Sequence, residues 1–253
     1  MDPWAWSWNP EALAVPAIAL AYVLTTRGRA ERWRTVAFMA GCALLAVALV
    51  TPLDTLAREY LVWAHLIQNV VLAEWAPLLL VLGLPSALAA RIAAAPAVPF
   101  LTHPFIALPL WIGTYALWHV PAFYDAALRH PQSLLPLEHA MYLASGLALW
   151  WCVWRESPHE LASAARAGFV FAAFVLSAPL GLVLALLPEP LYDFYAEVPE
   201  RVWALSRLED QQLGGMTMAA EQSLVFFAVC TFWFLRFLRE QETLDDPALD
   251  GPR

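Results

Sequence analysis

WAHLIQNVVLAEWAP, residues 63–77, is the stretch on which the fold of this chain turns. It lies inside an apolar run from Tyr60 to Leu82. A run of that length suffices to cross a hydrocarbon core of about 30 Å as a helix. Yet it carries His65, Gln68, Asn69 and Glu74. Polar and ionisable side chains in hydrocarbon cost several kcal/mol unless they find partners or a purpose. At about 100° per residue, Gln68 and Asn69 lie within about 60° of His65 and share its face. That face is expected to meet other helices, whereas Glu74 lies about 180° away and deeper, outside the same cluster.

The whole chain supports a membrane setting. Of its 253 residues 61% are hydrophobic and 14% charged, a balance that no soluble domain of this size needs. Apolar runs fall at about 9–25, 35–51, 60–82, 104–122, 136–154, 167–187 and 212–235. They are continuously apolar rather than alternating, which means helices and not a barrel. The expected fold is all-α: a polytopic bundle of seven transmembrane helices forming one domain over residues 1–239. The remainder, EQETLDDPALDGPR (240–253), is acidic without apolar periodicity and is expected to be a disordered cytoplasmic tail.

All 14 basic residues are arginines. Arg27, Arg29, Arg32, Arg34, Arg91, Arg155, Arg166, Arg236, Arg239 and Arg253 fall on one side of the seven-span topology, and Arg58, Arg129, Arg201 and Arg207 on the other. The richer side is assigned to the cytoplasm, so the N-terminus is outside and the C-terminus inside. MDPWAWSWNPE lacks the basic n-region and cleavage site of a signal peptide, so the first span is expected to stay uncleaved. Trp4, Trp6 and Trp8, and Trp150, Trp151 and Trp154, are read as interfacial anchors. A net charge of −8 excludes nucleic acid as a natural partner. Many acids, among them Glu11, Asp54, Asp125, Glu138 and Asp210, map to the outer side. They form either a cation-attracting face or a solvated rim.

This topology places His65, His119 (in WHVP) and His139 (in LEHAMY) at one depth near the outer surface, on three different helices. EDQQLGGMTMAAEQ, residues 209–222, enters from the same side and brings Asp210, Gln211, Met216 and Met218. Imidazole binds copper, zinc and iron, and thioethers favour reduced copper. The expected metal ligands are therefore His65, His119 and His139, with Gln68, Asn69, Asp210, Gln211, Met216 and Met218 as further ligands or supporting groups. A hydrogen-bonded histidine network is the competing reading. Met216 and Met218 point about 200° apart, so at most one serves a given site. Glu74 and Glu221 are read as buried carboxyls, structural or mutually paired. His103 and His159 fall at the opposite end. Cys42, Cys152 and Cys230 are isolated and read as small buried residues, with no CxxC pair. In the loop from Leu187 to Gly214, Val202, Leu205 and Leu208 of PERVWALSRLEDQQ suggest a short amphipathic surface helix that docks a partner.

HLIQN, WHVPAFYDAAL, LEHAMY and DQQLGG, in this order and with these apolar spacers, resemble the CtaG-like family of caa(3)-type cytochrome c oxidase assembly factors. TPLDTLA before the third run and APLLLVLGLP at its far end add to the resemblance, which covers about Thr51 to Phe234. It implies a seven-span protein of the bacterial plasma membrane, embedded in lipid, whose partners are cytochrome c oxidase subunits or other assembly factors. It implies no catalytic residue. The family's first motif usually reads His-Met-x-Gln-His; this chain has Leu66 and Asn69 in place of the methionine and second histidine. Asn69 is a poor transition-metal ligand. Copper is the cofactor this reading favours, with zinc or haem as alternatives. Two other classes fit the residues: a haem- or metal-dependent membrane oxidoreductase with paired axial histidines, and a metal or proton transporter using Glu74 and Glu221.

Overall fold

A computed structural model describes residues 2–198 and 202–245, and every regular element among them is a helix. In chain order these are α1 (Ala14–Thr26), α2 (Arg32–Val50), α3 (Pro52–Glu59), α4 (Val62–Val70), α5 (Ala76–Gly83), α6 (Ser86–Ala93), α7 (Val98–Leu101), α8 (Pro104–Trp118), α9 (Pro121–Arg129), α10 (Leu134–Trp154), α11 (Ser163–Leu186) and α12 (Arg207–Asp245). A π-helical segment, Val71–Trp75, joins α4 to α5.

Each of the seven apolar runs lies on helix, but they do not all qualify as spans. Arg32–Val50, Val62–Gly83, Ser163–Leu186 and Arg207–Thr243 are long and apolar enough to cross a membrane, and α8 with α9, bent by 74°, makes a fifth if counted as one broken span. The first run forms a shorter apolar helix, Pro10–Thr26. The break after α8 has a local cause: Pro121 disfavours helical geometry at the residue before it, so WHVP ends one helix and starts another.

Helices approach closely where the sequence supplies glycine. A Cβ on Gly146 of α10 would lie 2.1 Å from the carbonyl oxygen of Ala73, in the π-helical segment. Pro77 has no N–H to offer the Ala73 carbonyl four residues earlier, and the wider π turn absorbs this defect. A Cβ on Gly215 of α12 would lie 2.5 Å from Ala185 N of α11, so Gly215 lets these two helices pack at backbone distance.

At one end of the bundle two arginines satisfy the last carbonyls of α5. Arg34 donates to Leu82 O and Leu84 O at 3.2 and 3.0 Å, and Arg155 donates to Leu84 O at 2.8 Å and to Val81 O. Burial, with Arg34 nearby, pushes Arg155 down to about 10, so it remains a charged donor at neutral pH. Leu24, Phe105, Phe171, Leu186, Leu224 and Phe227 are exposed, an apolar surface suited to lipid.

Four expectations are corrected. Trp150 and Trp151 are core residues rather than interfacial anchors: Trp150 stacks on Phe226 with ring centres 5.4 Å apart, and Trp151 donates to Ser157 O. Trp4, Trp6 and Trp8 are exposed as an interfacial role requires. The outer acids divide: Asp2, Glu59, Glu189, Asp193, Glu197 and Glu209 are exposed as a rim, whereas Asp54, Asp125, Glu138 and Asp210 are buried and hydrogen-bonded. The amphipathic surface helix does not form as one element. Val202–Ala204 is a 3-10 turn with Trp203 and Ala204 at φ 56° and 54°, whereas Leu208 already belongs to α12; residues 199–201 of that segment lie outside the described residues. Finally, α12 continues past Arg239 to Asp245, while residues 246–253 of the expected tail lie outside the described residues.

Candidate functional site

The polar face of α4 is set by how that helix begins. Asp210 of α12 accepts hydrogen bonds from the backbone N–H groups of Val62 and Trp63, both at 3.0 Å. A carboxylate at a helix N-terminus satisfies otherwise orphaned donors and complements the helix dipole. One turn on, His65, Gln68 and Asn69 are fully buried.

These three residues reach two carboxylates. His65 Nε2 lies 3.1 Å from Glu138 Oε1, and Asn69 Nδ2 donates to the same oxygen at 3.1 Å. Gln68 Nε2 turns to Asp54 Oδ1 and to Ala48 O, each at 2.7 Å. Asp54 is placed by TPLDTLA, in which Thr51 caps α3 through its hydroxyl and Pro52 takes the first helical position.

Asp54 Oδ2 in turn accepts from Arg58 Nε at 2.7 Å, from Asn9 Nδ2 at 3.0 Å and from Ser7 Oγ. Arg58 Nη2 donates to Glu11, whose other oxygen lies 3.0 Å from His139 Nδ1. The N-terminal segment thus folds over the bundle end and ties Glu11 to α3 and α10. His139 neighbours Glu138 in sequence, but consecutive helical residues point about 100° apart, so the two serve different clusters.

His119, at the end of α8, has Nδ1 2.9 Å from Tyr115 O and 3.4 Å from the Tyr142 hydroxyl. It lies within electrostatic reach of both Glu138 and His65. Tyr124 packs its ring 4.8 Å from that of His65 and stacks on Tyr192 at 3.7 Å. Burial pushes the Tyr192 and Tyr195 hydroxyls above the ordinary phenol range, so both remain protonated donors. His65 Nδ1, Asn69 Oδ1, Glu138 Oε2 and His119 Nε2 are buried without a protein partner.

The structure therefore gathers His65 and Asn69 around Glu138, with His119 near, and gives His139 to Glu11. Among the described residues, no group of three or more His, Cys, Asp or Glu side chains is arranged to hold a metal ion. Asp210 is a helix cap. Gln211 ties the 187–191 turn to α12, accepting from Leu191 N at 2.6 Å and donating to Leu184 O and Glu189 O. Met216 is exposed, whereas Met218 is buried and lines a cavity of about 60 Å3 with Leu66, Trp75 and Glu221.

Glu74 and Glu221 meet in a second centre. Glu74 Oε1 accepts from the Tyr115 hydroxyl at 2.7 Å and from Gln222 Nε2 at 2.9 Å, and Glu221 accepts from Trp75 Nε1. The two carboxyls are within hydrogen-bonding reach of each other. Sequence reasoning missed Glu138, the node of the first network. Its signal was an acid inside the 136–154 run beside a histidine, which was assigned to the outer rim instead.

A family model described as cytochrome c oxidase caa3 assembly factor matches residues 18–240. An uncharacterized protein of Mycobacterium bovis is 25% identical over 217 residues, covering 75% of this chain and 32% of its own length. One of Mycobacterium leprae is 27% identical over 208 residues, covering 72% of this chain and 30% of its own. The chain thus spans about a third of the length of these curated relatives. No solved structure matches it. With a match that spans most of its length, the chain belongs to the caa3 cytochrome c oxidase assembly factor family.

Proposed function

We propose that this chain is a multi-pass plasma-membrane factor that helps a haem–copper cytochrome c oxidase assemble, through contacts with oxidase subunits or other assembly factors. The observation that carries the reading is the family match over residues 18–240. In this reading the chain crosses the bilayer seven times with its N-terminus outside and C-terminus inside. All seven apolar runs lie on helices, and the bias of arginine to one side supports the orientation. The polar networks of His65, Asn69 and Glu138 and of Asp54, Arg58, Glu11 and His139 then occupy the outer half. They hold the outer end in one shape for a partner. Deleting the gene should abolish assembled oxidase, seen as loss of its haem absorbance and activity in membranes. Wild-type protein should restore both, and Glu138→Ala should restore them poorly. Unchanged oxidase in the deletion strain refutes the reading.

A second reading, transient metal handling at the outer end, draws on His65 Nδ1 and His119 Nε2, which lack protein partners. The residues as arranged do not supply a three-ligand shell: His139 would have to leave Glu11, and His65 would have to leave Glu138. Metal analysis of protein purified without chelators decides it. Stoichiometric copper or zinc that disappears in His65→Ala favours this reading, and none disfavours it.

A further inference from the structure

At the opposite end of the bundle, two histidines that the proposed function does not use come together. His103 sits at the N-cap of α8, and His159 lies in the ESPHE segment, residues 156–160, between α10 and α11. Their ring centres are 4.8 Å apart at an interplanar angle of 80°. Both line an open pocket of about 640 Å3, together with Phe105, Leu108, Glu160 and Phe169.

The hydrogen bonding of His159 gives this pair a chemical sense. Its Nε2 lies 2.7 Å from Pro99 O. A carbonyl only accepts, so Nε2 carries the proton and the neutral ring presents Nδ1 as a free lone pair. A backbone carbonyl holding the far N–H is how ligating imidazoles are oriented and made more basic. The ring of His103 makes no hydrogen bond among the described residues, is half-exposed and packs on the rings of His159 and Phe105.

Spacing points the same way. Two imidazoles bound to one ion at about 2.0–2.1 Å from their nitrogens hold their ring centres about 4.5–5.2 Å apart, for ligand angles between about 90° and 109°. The observed 4.8 Å falls in that interval. The segment carrying His159 is also held in place: Trp151 Nε1 donates to Ser157 O at 2.7 Å, and Arg166 Nε donates to Leu161 O at 2.8 Å. Glu156 and Glu160 are exposed beside it and favour a cation.

We propose that His103 and His159 form a two-imidazole binding site for a divalent transition-metal ion of the zinc–copper–nickel class, with water completing the coordination. Imidazole suits these ions. The site is separate from the His65–Glu138 network and independent of the proposed role in oxidase assembly.

Tag-free full-length protein in detergent, stripped of metal, is titrated with Zn(II) by calorimetry and with Cu(II) followed by electron paramagnetic resonance. Wild-type protein should bind one equivalent that is unaffected by His65→Ala and His139→Ala, and Cu(II) should show hyperfine coupling to two imidazole nitrogens. His103→Ala and His159→Ala should each weaken this binding by about tenfold or more. His159→Gln, which keeps a donor for the Pro99 carbonyl, should be equally impaired while its thermal unfolding matches wild type. Absence of saturable binding by wild-type protein, or binding undiminished in His103→Ala and His159→Gln, overturns the proposal and leaves the pair as an aromatic contact.

Discussion

Asp210 of α12 closes the N-terminus of α4 at Val62, 148 residues away in sequence, with a hydrogen bond of 3.0 Å. The same carboxylate takes the Trp63 N–H, so one side chain sets where α4 starts and which way His65, Gln68 and Asn69 face. Asp210→Ala leaves two backbone donors without this acceptor, at a cost of about 1–3 kcal/mol. A lower unfolding temperature in detergent is expected, with Asp210→Asn intermediate. Unchanged stability in Asp210→Ala would show that α4 finds its register without the cap.

Glu138 is the acceptor shared by His65 and Asn69. Glu138→Ala strands both buried side chains and is expected to lower stability by about 1–3 kcal/mol for each unsatisfied group. Glu138→Gln keeps an oxygen for one of them and should be milder. Comparing the two variants by thermal unfolding and by oxidase level in membranes separates loss of hydrogen bonding from loss of charge. Equal effects would assign the role to charge alone.

Arg58 bridges Asp54 and Glu11. Its removal, as Arg58→Met, leaves two carboxylates and no guanidinium between them in a largely buried site. Breaking a buried ion pair by deleting one partner costs about 3–5 kcal/mol. The N-terminal segment should then detach, and Trp4, which packs 6.0 Å from Trp203, should report this by a change in protease sensitivity at residues 2–11. Protection equal to wild type would show that Ser7 and Asn9 hold the segment without Arg58.

Gly146→Ala places a methyl group 2.1 Å from the Ala73 carbonyl oxygen. No rotamer relieves such a clash, because the atom it meets is backbone. Overpacking typically costs about 1–3 kcal/mol. Poor folding or a lowered melting temperature is expected, and a Gly113→Ala control, where a Cβ meets nothing within 4 Å, should be near neutral.

Orientation is tested directly. A reporter active only in the cytoplasm, fused after Arg239, should be active, and one fused to the N-terminus should not. The reverse result would invert the assignment of the histidine network to the outer half.

The sequence by itself determined the helical membrane class, because continuous apolar runs admit no other way to satisfy the backbone in lipid. It also determined the break at WHVP, since Pro121 acts on its immediate neighbour, and the shared face of His65, Gln68 and Asn69, since helical phase is a local property. What the side chains touch was decided only in three dimensions. Glu138 and His139 are adjacent in the chain, yet one goes to His65 and the other to Glu11, because helical rotation sends them to different neighbours. Acids that resemble a solvated rim in one dimension became a helix cap at Asp210, whose partners lie 147 and 148 residues away, and a node at Asp54, which joins Arg58 one helical turn on to Ser7 and Asn9 of the N-terminal segment. The surface helix expected around Val202 failed for a related reason: apolar spacing over so few residues is a weak signal, and Trp203 and Ala204 adopt a left-handed turn instead. The His103–His159 contact joins residues 56 positions apart that helical phase alone could not bring together. Only the packing of the α10–α11 segment against α7 and α8 does so.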